Sequence, residues 1–420
     1  MKIKNFSDKN NVLILKPRIQ DADKLSDYVS FNAGCIEKYF THCRTYNFYD
    51  QCINYGISYI ETEIKDIIIR ENISIIFFFP FGSSFELSPL FFAELKKIQK
   101  LKIVLFVLDD ELIFDVFSKY YAQIADAAIT CDYYAVALYE KFGIPAFYYF
   151  SSYSKDDFYP VACRKEYDVS FIGDCSKADR REYIDFLKNN NINISTFGKN
   201  SENGFIAKDK LGEIFSKSKI NLNFTKTDRY EFPFTYNVWF NEDNLLAQNT
   251  RQNKGRPMEI GMTRSFCLTE YAPSLKYTFD IEKEIDVFFD KNDLLKKVRR
   301  YLQNELEREE LASNLYLKAN NIYSAENFFP KLMERLIVSL NAQKLFENER
   351  IYLDKNFKIK TINQVVYIFF IQLAGLKLSA SIRTAEFFFV HGFQCFFRGF
   401  FKAIKRIIIK ILSKFFKKAR

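Results

Sequence analysis

The stretch Q-N-K-G-R-P-M-E at 252–259 gathers the residues best suited to chemistry. Lys254 and Arg256 flank Gly255, and Glu259 follows just before an apolar run at 265–269. Two cations beside a glycine can approach a diphosphate closely, and a carboxylate at a helix start can accept two sugar hydroxyls. A nucleotide-sugar site requires that combination. A K-x-R run is equally the composition of a solvated face, so the pattern alone leaves both readings open.

A second candidate is L-D-D-E at 108–111, directly after an apolar run. Asp109 and Asp110 are expected at the carboxyl end of a strand, where a carboxylate can deprotonate or orient an acceptor hydroxyl. Capping of a helix that starts near 111 is the competing reading. P-F-G-S-S (80–84) offers small polar groups at another strand end, or simply a turn. His42 and His391 are the only histidines, which makes a zinc site or a serine–histidine triad improbable. His42 reads as part of a helical, aromatic-rich stretch with a structural or surface role. Trp239 and the tyrosines of 230–240 suit a cleft rim that stacks on sugar faces, and suit ordinary core packing as well.

The elements that must position these groups follow from the apolar pattern. Continuous runs at 12–15, 73–79, 103–108, 127–131 and 146–150 alternate with helical stretches, as strands buried on both faces of a parallel sheet do. Ser88-Pro89 opens a helix, and Gly143-Ile144-Pro145 stops another. After a polar linker at 151–166 the series resumes with 168–173, 193–198, 220–224, 265–270 and 284–288, and a helix is expected from about Ala178. Two successive α/β units place a ligand in the cleft between them, at the carboxyl ends of the strands. Beyond 290 the apolar spacing becomes three and four, which predicts helices that close the second unit and pack back toward the first.

Composition bounds the rest. The chain has 420 residues, 48% hydrophobic and 27% charged, enough for two or three globular domains. Eight cysteines without a C-x-x-C pair and a polar opening segment predict a reduced, cytoplasmic protein with no signal peptide. Residues 361–420 hold eleven Lys/Arg against Glu386 alone, a charge of +10, which leaves −1 for the rest of a chain whose net charge is +9. A neutral body argues against nucleic acid as a partner.

Several spaced motifs then carry a family resemblance. D-V-S-F-I-G (168–173) with R-R (180–181), S-K-I-N-L-N-F (218–224) and N-K-G-R-x-x-E (253–259) occur in order. F-C-L-T-E-Y-x-P-x-L (266–275), K-E-I-D-V-F (283–288) and R-R-Y-L-x-N-E-x-E-R (299–308) follow them. The series resembles the spore-maturation-type, CgeB-like glycosyltransferases of the GT-B superfamily, over roughly 70–340. The resemblance implies two Rossmann-like domains across a cleft, with a nucleotide-sugar donor held mostly by the second and no obligatory metal or cofactor. It implies that Glu259 grips the nucleotide ribose and that Lys254 and Arg256 neutralise the diphosphate leaving group. Gly173 and Gly255 are then the points of close backbone approach, with Arg180 nearby in the donor site. It also puts an aspartate pair at Asp109 and Asp110. Two departures stand out. Many retaining members have glutamates eight positions apart, but Arg251 stands eight before Glu259; and Arg264-Ser265 occupy a turn where small residues are usual.

The expected layout is an acceptor-side domain at 1–160, a donor domain at 161–345 and a basic amphipathic tail at 346–420. Within the tail, Phe400, Phe401, Ile404, Ile407, Ile408, Ile411, Leu412 and Phe415 fall on one helical stripe, with Lys402, Arg406, Lys410 and Lys417 on other faces. An apolar face flanked by cations suits an anionic membrane surface. The uncharged runs 361–376 and 387–397 are too short to span a bilayer. The sequence thus predicts a glycosyltransferase at the cytoplasmic face of the cell membrane, acting on a glycan or lipid-linked acceptor. An inactive GT-B-like protein recruited to membranes by the same tail is the alternative.

Overall fold

The computed structural model describes residues 10–17, 28–80, 85–177, 179–227, 250–342 and 351–391. Gly82, Trp239 with its tyrosine-rich neighbours, and the amphipathic stretch 400–420 lie outside the described residues.

The first sheet has six strands: β1 (Asn11–Lys16), β2 (His42–Asn47), β3 (Ile73–Phe78), β4 (Lys102–Val107), β5 (Ala127–Thr130) and β6 (Ala146–Tyr148). Their order is β2-β1-β3-β4-β5-β6 and every pairing is parallel. Helices α1 (Tyr28–Glu37), α2 (Phe48–Tyr55), α3 (Ile57–Arg70), α4 (Pro89–Ile98), α5 (Asp110–Ile113), α6 (Lys119–Ala122) and α7 (Tyr133–Glu140) connect them. The Ser88 hydroxyl accepts from the Leu90 amide and Pro89 supplies the first helical residue, so α4 starts where the sequence predicts. β2 was not expected. His42 belongs to this edge strand and is exposed, rather than lying in a helix. H-C-R-T-Y-N has a single partner strand and one buried side chain, Tyr46, so it lacks the apolar run that marks the central strands.

The second sheet has five parallel strands: β7 (Tyr167–Ile172), β8 (Ile194–Phe197), β9 (Ser218–Asn223), β10 (Cys267–Glu270) and β11 (Asp286–Phe288), ordered β11-β10-β9-β7-β8. Around it lie α8 (Arg180–Asn189), α9 (Leu211–Lys217), α10 (Arg256–Met262), α11 (Lys291–Gln303) and α12 (Glu305–Lys318). The strand order reverses between β7 and β9. Loops at the carboxyl ends of those two strands therefore diverge and leave a crevice, the place where open α/β sheets hold ligands.

The chain crosses between the domains twice at one point. Tyr153, leaving the first sheet, bridges in parallel to Ser324, and its carbonyl accepts from the Ala325 amide at 2.9 Å. Helix α13 (Ala325–Ala342) then buries Phe329, Leu332, Met333 and Leu336 against Val12, Ile14 and Phe77 on one face of the first sheet. This is the expected return of the distal helices to the first domain.

Residues that the sequence reading put at the head of a tail pack the opposite face. In α14 (Lys355–Ala374) and α15 (Leu378–His391), Phe357, Val365, Val366, Ile368 and Phe388 share a core with Leu13, Leu15, Ile60 and Ile64. A boundary at 345 thus separates side chains that the fold buries together, because the uncharged run at 361–376 covers a sheet face. Gly56 lets α15 come close. At φ +93 it turns α2 into α3, and a Cβ there would stand 2.5 Å from the Ala380 carbonyl oxygen.

Candidate active site at the domain junction

β4 ends at Val107, and the chain turns outward through Asp109 before α5 begins. The Asp109 side chain makes no capping bond to α5; its Oδ1 accepts from Gln252 Nε2 of the second domain at 3.1 Å. Next to it, the Asn253 amide donates to Glu111 Oε1 at 3.4 Å, and Asn253 Nδ2 donates to the Tyr148 hydroxyl at 3.0 Å. The loop ahead of α10 therefore docks directly on the carboxyl end of the first sheet.

Lys254 sits at the centre of this junction, half-buried and bonded to the Gln252 side-chain oxygen. Burial lowers its ammonium pKa to about 8, opposed by the Asp109 and Glu111 carboxylates and reinforced by the neighbouring cations Arg180 and Lys177. Glu111 is pushed well above the carboxylate range by burial and by the like charges of Asp132 and Asp109. Cations of the second domain and carboxylates of the first thus meet in one partly desolvated space. Such an arrangement can hold a dianionic phosphate group on one side and place an acid–base group on the other.

Of the remaining sequence candidates, Arg180 neighbours Lys254, and Gly173, Arg256 and Glu259 are held by contacts within the second domain and its linker. Gly173 caps β7 at the strand reversal, its amide donating to the Phe197 carbonyl at 2.9 Å. Arg180 heads α8; its Nη1 donates to the Asp174 carbonyl at 3.1 Å and its guanidinium lies 5.5 Å over the Phe171 ring. Arg256 and Glu259, three apart on α10, form an ion pair, and Arg256 also covers the Phe215 ring at 5.5 Å. Gly255 makes its close approach to protein. A Cβ there would lie 2.3 Å from the Tyr153 hydroxyl and 2.8 Å from Ser151, so the α10 start seats against the interdomain linker. Burial raises the Tyr153 phenol, and the adjacent Glu259 carboxylate raises it further.

Asp110 is not in this space. Its carboxylate is buried in the first domain, accepting from Thr130 Oγ1 at 2.6 Å and from the Tyr139 hydroxyl at 3.0 Å. Burial raises its pKa to about 7, against the hydrogen bonds from Thr130, Ser118 and Tyr139. The residue after Asp109 begins a helix and turns inward, so of three consecutive acids the first and third reach the junction and the middle one does not.

Other residues emerge only from the fold. Lys177 carries no distinctive pattern in sequence, whereas Gln252 and Asn253 open the stretch Q-N-K-G-R-P-M-E without a role assigned to them, and Glu111 is the third acid of L-D-D-E. At the rim, Tyr133 of α7 and Tyr277 of the loop after β10 stack face to face, centroids 3.7 Å apart and 6° from parallel. Beside them the Tyr148 hydroxyl and Thr278 Oγ1 share a hydrogen bond of 2.7 Å. Where a second glutamate was sought, Arg251 instead pairs with Glu270, whose other oxygen accepts from the Thr225 and Lys226 amides at 2.9 and 2.8 Å. Arg264 holds a left-handed φ of +53, which explains why small residues favour that turn.

Known proteins share this architecture. Residues 176–334 match the family model described as glycosyl transferase-like. No curated protein matches the chain. Sucrose-phosphate synthase from Thermosynechococcus elongatus superposes with a TM-score of 0.55 at 10% identity, over 80% of this chain and all of that one. HepE of Anabaena, solved with UDP-glucose, does so at 0.53 and 10% identity, over 78% and 99%. A glycosyltransferase from Rickettsia africae gives 0.54 at 10% identity, over 80% and 100%. With two parallel-sheet Rossmann-like domains joined by a double crossover, the chain has the GT-B fold of glycosyltransferases, and its second domain matches the glycosyl transferase-like family.

Proposed function

We propose that the protein is a metal-independent glycosyltransferase that moves a hexosyl group from a nucleoside diphosphate sugar to a glycan or lipid-linked acceptor. The finer likeness to CgeB-like enzymes is part of this reading. The observation that carries it is the meeting of Lys254, flanked by Arg180 and Lys177, with the carboxylates of Asp109 and Glu111 at the carboxyl ends of both sheets. HepE, which shares the fold, is known with UDP-glucose, and supports a sugar nucleotide as the donor class.

In this reaction the acceptor oxygen attacks the anomeric carbon while the bond from that carbon to the β-phosphate oxygen breaks. The bonding pair leaves with the nucleoside diphosphate. Lys254 and Arg256 neutralise the charge that grows on the departing phosphate, a gain larger in the transition state than in the bound donor. Glu259 accepts the ribose hydroxyls, exchanging its Arg256 partner for them. Gly173 and Gly255 shape the backbone around the donor, and Arg180 adds positive charge at the β7 end. Asp109 takes the acceptor proton, with Glu111 beside it. Asp110, the other acid of the expected pair, contributes by fixing the α5 turn that aims Asp109.

The proposed setting is the inner face of the cell membrane, where soluble donors meet lipid-linked acceptors, with residues 400–420 on anionic lipid. Among the described residues no helix is long and apolar enough to cross a membrane. The alternative, an inactive GT-B-like protein recruited to membranes, draws on the Arg251–Glu270 pair at the place of a second glutamate. Release of nucleoside diphosphate from a panel of sugar nucleotides separates the two. Activity that vanishes in Glu259→Ala supports transfer, whereas no release from any donor, with no ligand-induced rise in Tm, overturns it.

A further inference from the structure

The turn between α14 and α15 carries an apolar prong. Leu376, Leu378 and Ile382 are 85%, 62% and 65% exposed, although their neighbours Ala380, Ser381 and Thr384 are buried against the first domain. Leu378 and Ile382 are four apart on α15 and so lie on one face, and Leu376 precedes them at a left-handed φ of +56. Large aliphatic side chains this exposed and this close together are disfavoured in water. Two cations frame them, with one acid, the exposed Glu386, four residues beyond Ile382 on the same helix face. Lys377 bonds to Asn54, and the Arg383 guanidinium lies 5.3 Å over the Tyr59 ring, beside the half-exposed Tyr55.

The turn is rigidly backed. Gln372 Nε2 donates to the Cys52 carbonyl at 2.7 Å, and α15 closes on Gly56 at a distance no side chain would allow. Immediately beyond α15, residues 392–420 carry nine Lys/Arg and no Asp or Glu. Apolar tips among cations, followed in sequence by a stretch of one charge sign, match the chemistry of an anionic bilayer interface: hydrocarbon below, phosphate above.

We propose that the α14–α15 turn is a membrane-insertion prong that places Leu376, Leu378 and Ile382 below the phosphates of an anionic lipid surface, with Lys377 and Arg383 at phosphate level. This rests on the membrane half of the proposed function and adds a second, folded contact to the basic stretch 400–420. The first domain would then be seated on the bilayer by a rigid point.

The test is flotation of the full-length protein with phosphatidylcholine vesicles, with and without 30% phosphatidylglycerol, beside the L376D/L378D/I382D variant. Because the three side chains face water, the variant is expected to keep its Tm within about 2 °C of the parent. Its partition into anionic vesicles is expected to fall by at least about tenfold. A second variant, Leu378→Trp, reports depth directly through a blue shift of the added fluorescence on mixing with anionic vesicles. Undiminished flotation of the triple variant with no such shift overturns the prong while leaving the membrane setting intact. A parent protein that fails to float at all overturns both. If the triple substitution instead dissolves a dimer of the free protein, the prong is a contact between copies and the lipid assignment is wrong.

Discussion

Gln252, two residues before Lys254, donates at 3.1 Å to Asp109, the residue before the buried Asp110, and so links the second domain to the first beside the bonds that Asn253 makes to Glu111 and Tyr148. Any ligand that draws Lys254 toward a phosphate must act across this contact, so donor binding and acceptor-side geometry are linked through it.

Lys254 is expected to set the alkaline limit of the proposed transfer. With its ammonium held down to about 8 by burial, the charged form is lost as pH rises through that value. The kcat/KM profile is expected to fall above about pH 8, and the kcat profile to hold to higher pH, because a bound diphosphate favours the charged amine. Lys254→Arg should move the kcat/KM limb upward, and Lys254→Met should lower kcat by roughly 10²–10³-fold. Steady-state rates from pH 6 to 10 decide this.

Asp109 and Asp110 should separate cleanly. Asp109→Asn is expected to leave the donor-induced Tm shift in place and lower transfer by roughly 10²–10⁴-fold. Asp110 acts on stability. Its pKa, about 7 in the fold against 3.8 when exposed, is raised, so its contribution is full below about 4 and is lost as pH rises through about 7. Asp110→Asn should flatten the decline in unfolding free energy across that window, by up to about 4 kcal/mol. Urea titrations at pH 4.5, 6 and 8 measure it.

Gly255 tests the seat of α10 on the linker. Gly255→Ala puts a methyl against the Tyr153 hydroxyl and Ser151, and is expected to cost about 1–3 kcal/mol and weaken donor binding. Adding Tyr153→Phe should recover part of that loss, since the nearest obstructing atom is gone. A double-mutant cycle in which the two effects simply add would refute the contact.

Gly56 tests how the distal helices are held. Gly56→Ala combines a left-handed φ with a collision at the Ala380 carbonyl, and should cost about 2–4 kcal/mol by releasing α15. Proteolysis near 375–390 should accelerate. Likewise, a chain ended after Lys360 loses Val365, Ile368 and Phe388 from the core and should be poorly soluble, whereas one ended after His391 should fold.

The sequence made the parallel sheets plain, because strands such as I-S-I-I-F-F are buried on both faces and show no polar alternation. β2 stayed hidden, since an edge strand buries little and H-C-R-T-Y-N reads as polar loop or helix. On the donor side, K-G-R-P-M-E could be picked out because glycine, proline and charge rarely coincide without a turn and a helix start to serve. The roles of neighbouring acids were not legible. Whether Asp109, Asp110 or Glu111 meets the cleft depends on the turn from β4 into α5, where one residue's rotation redirects a side chain from solvent to core. The docking of 361–388 is obscured for a different reason: the uncharged run 361–376 suits lipid and a sheet face equally well, and only the exposed face of the first domain decides between them.

The first domain contains both Leu13 and Phe388 in one core, so it is stitched from the two ends of the described chain with the second domain inserted between. During synthesis at 5–20 residues per second, roughly 20–75 s separate the appearance of these two side chains. The inserted domain, whose five strands are contiguous, is complete well before its host. On the ribosome the half that carries Lys254 and Glu259 therefore has a head start, while the Leu13 side of the older half waits only partly covered by α3 and α4, a natural station for a chaperone that shields apolar sheet faces.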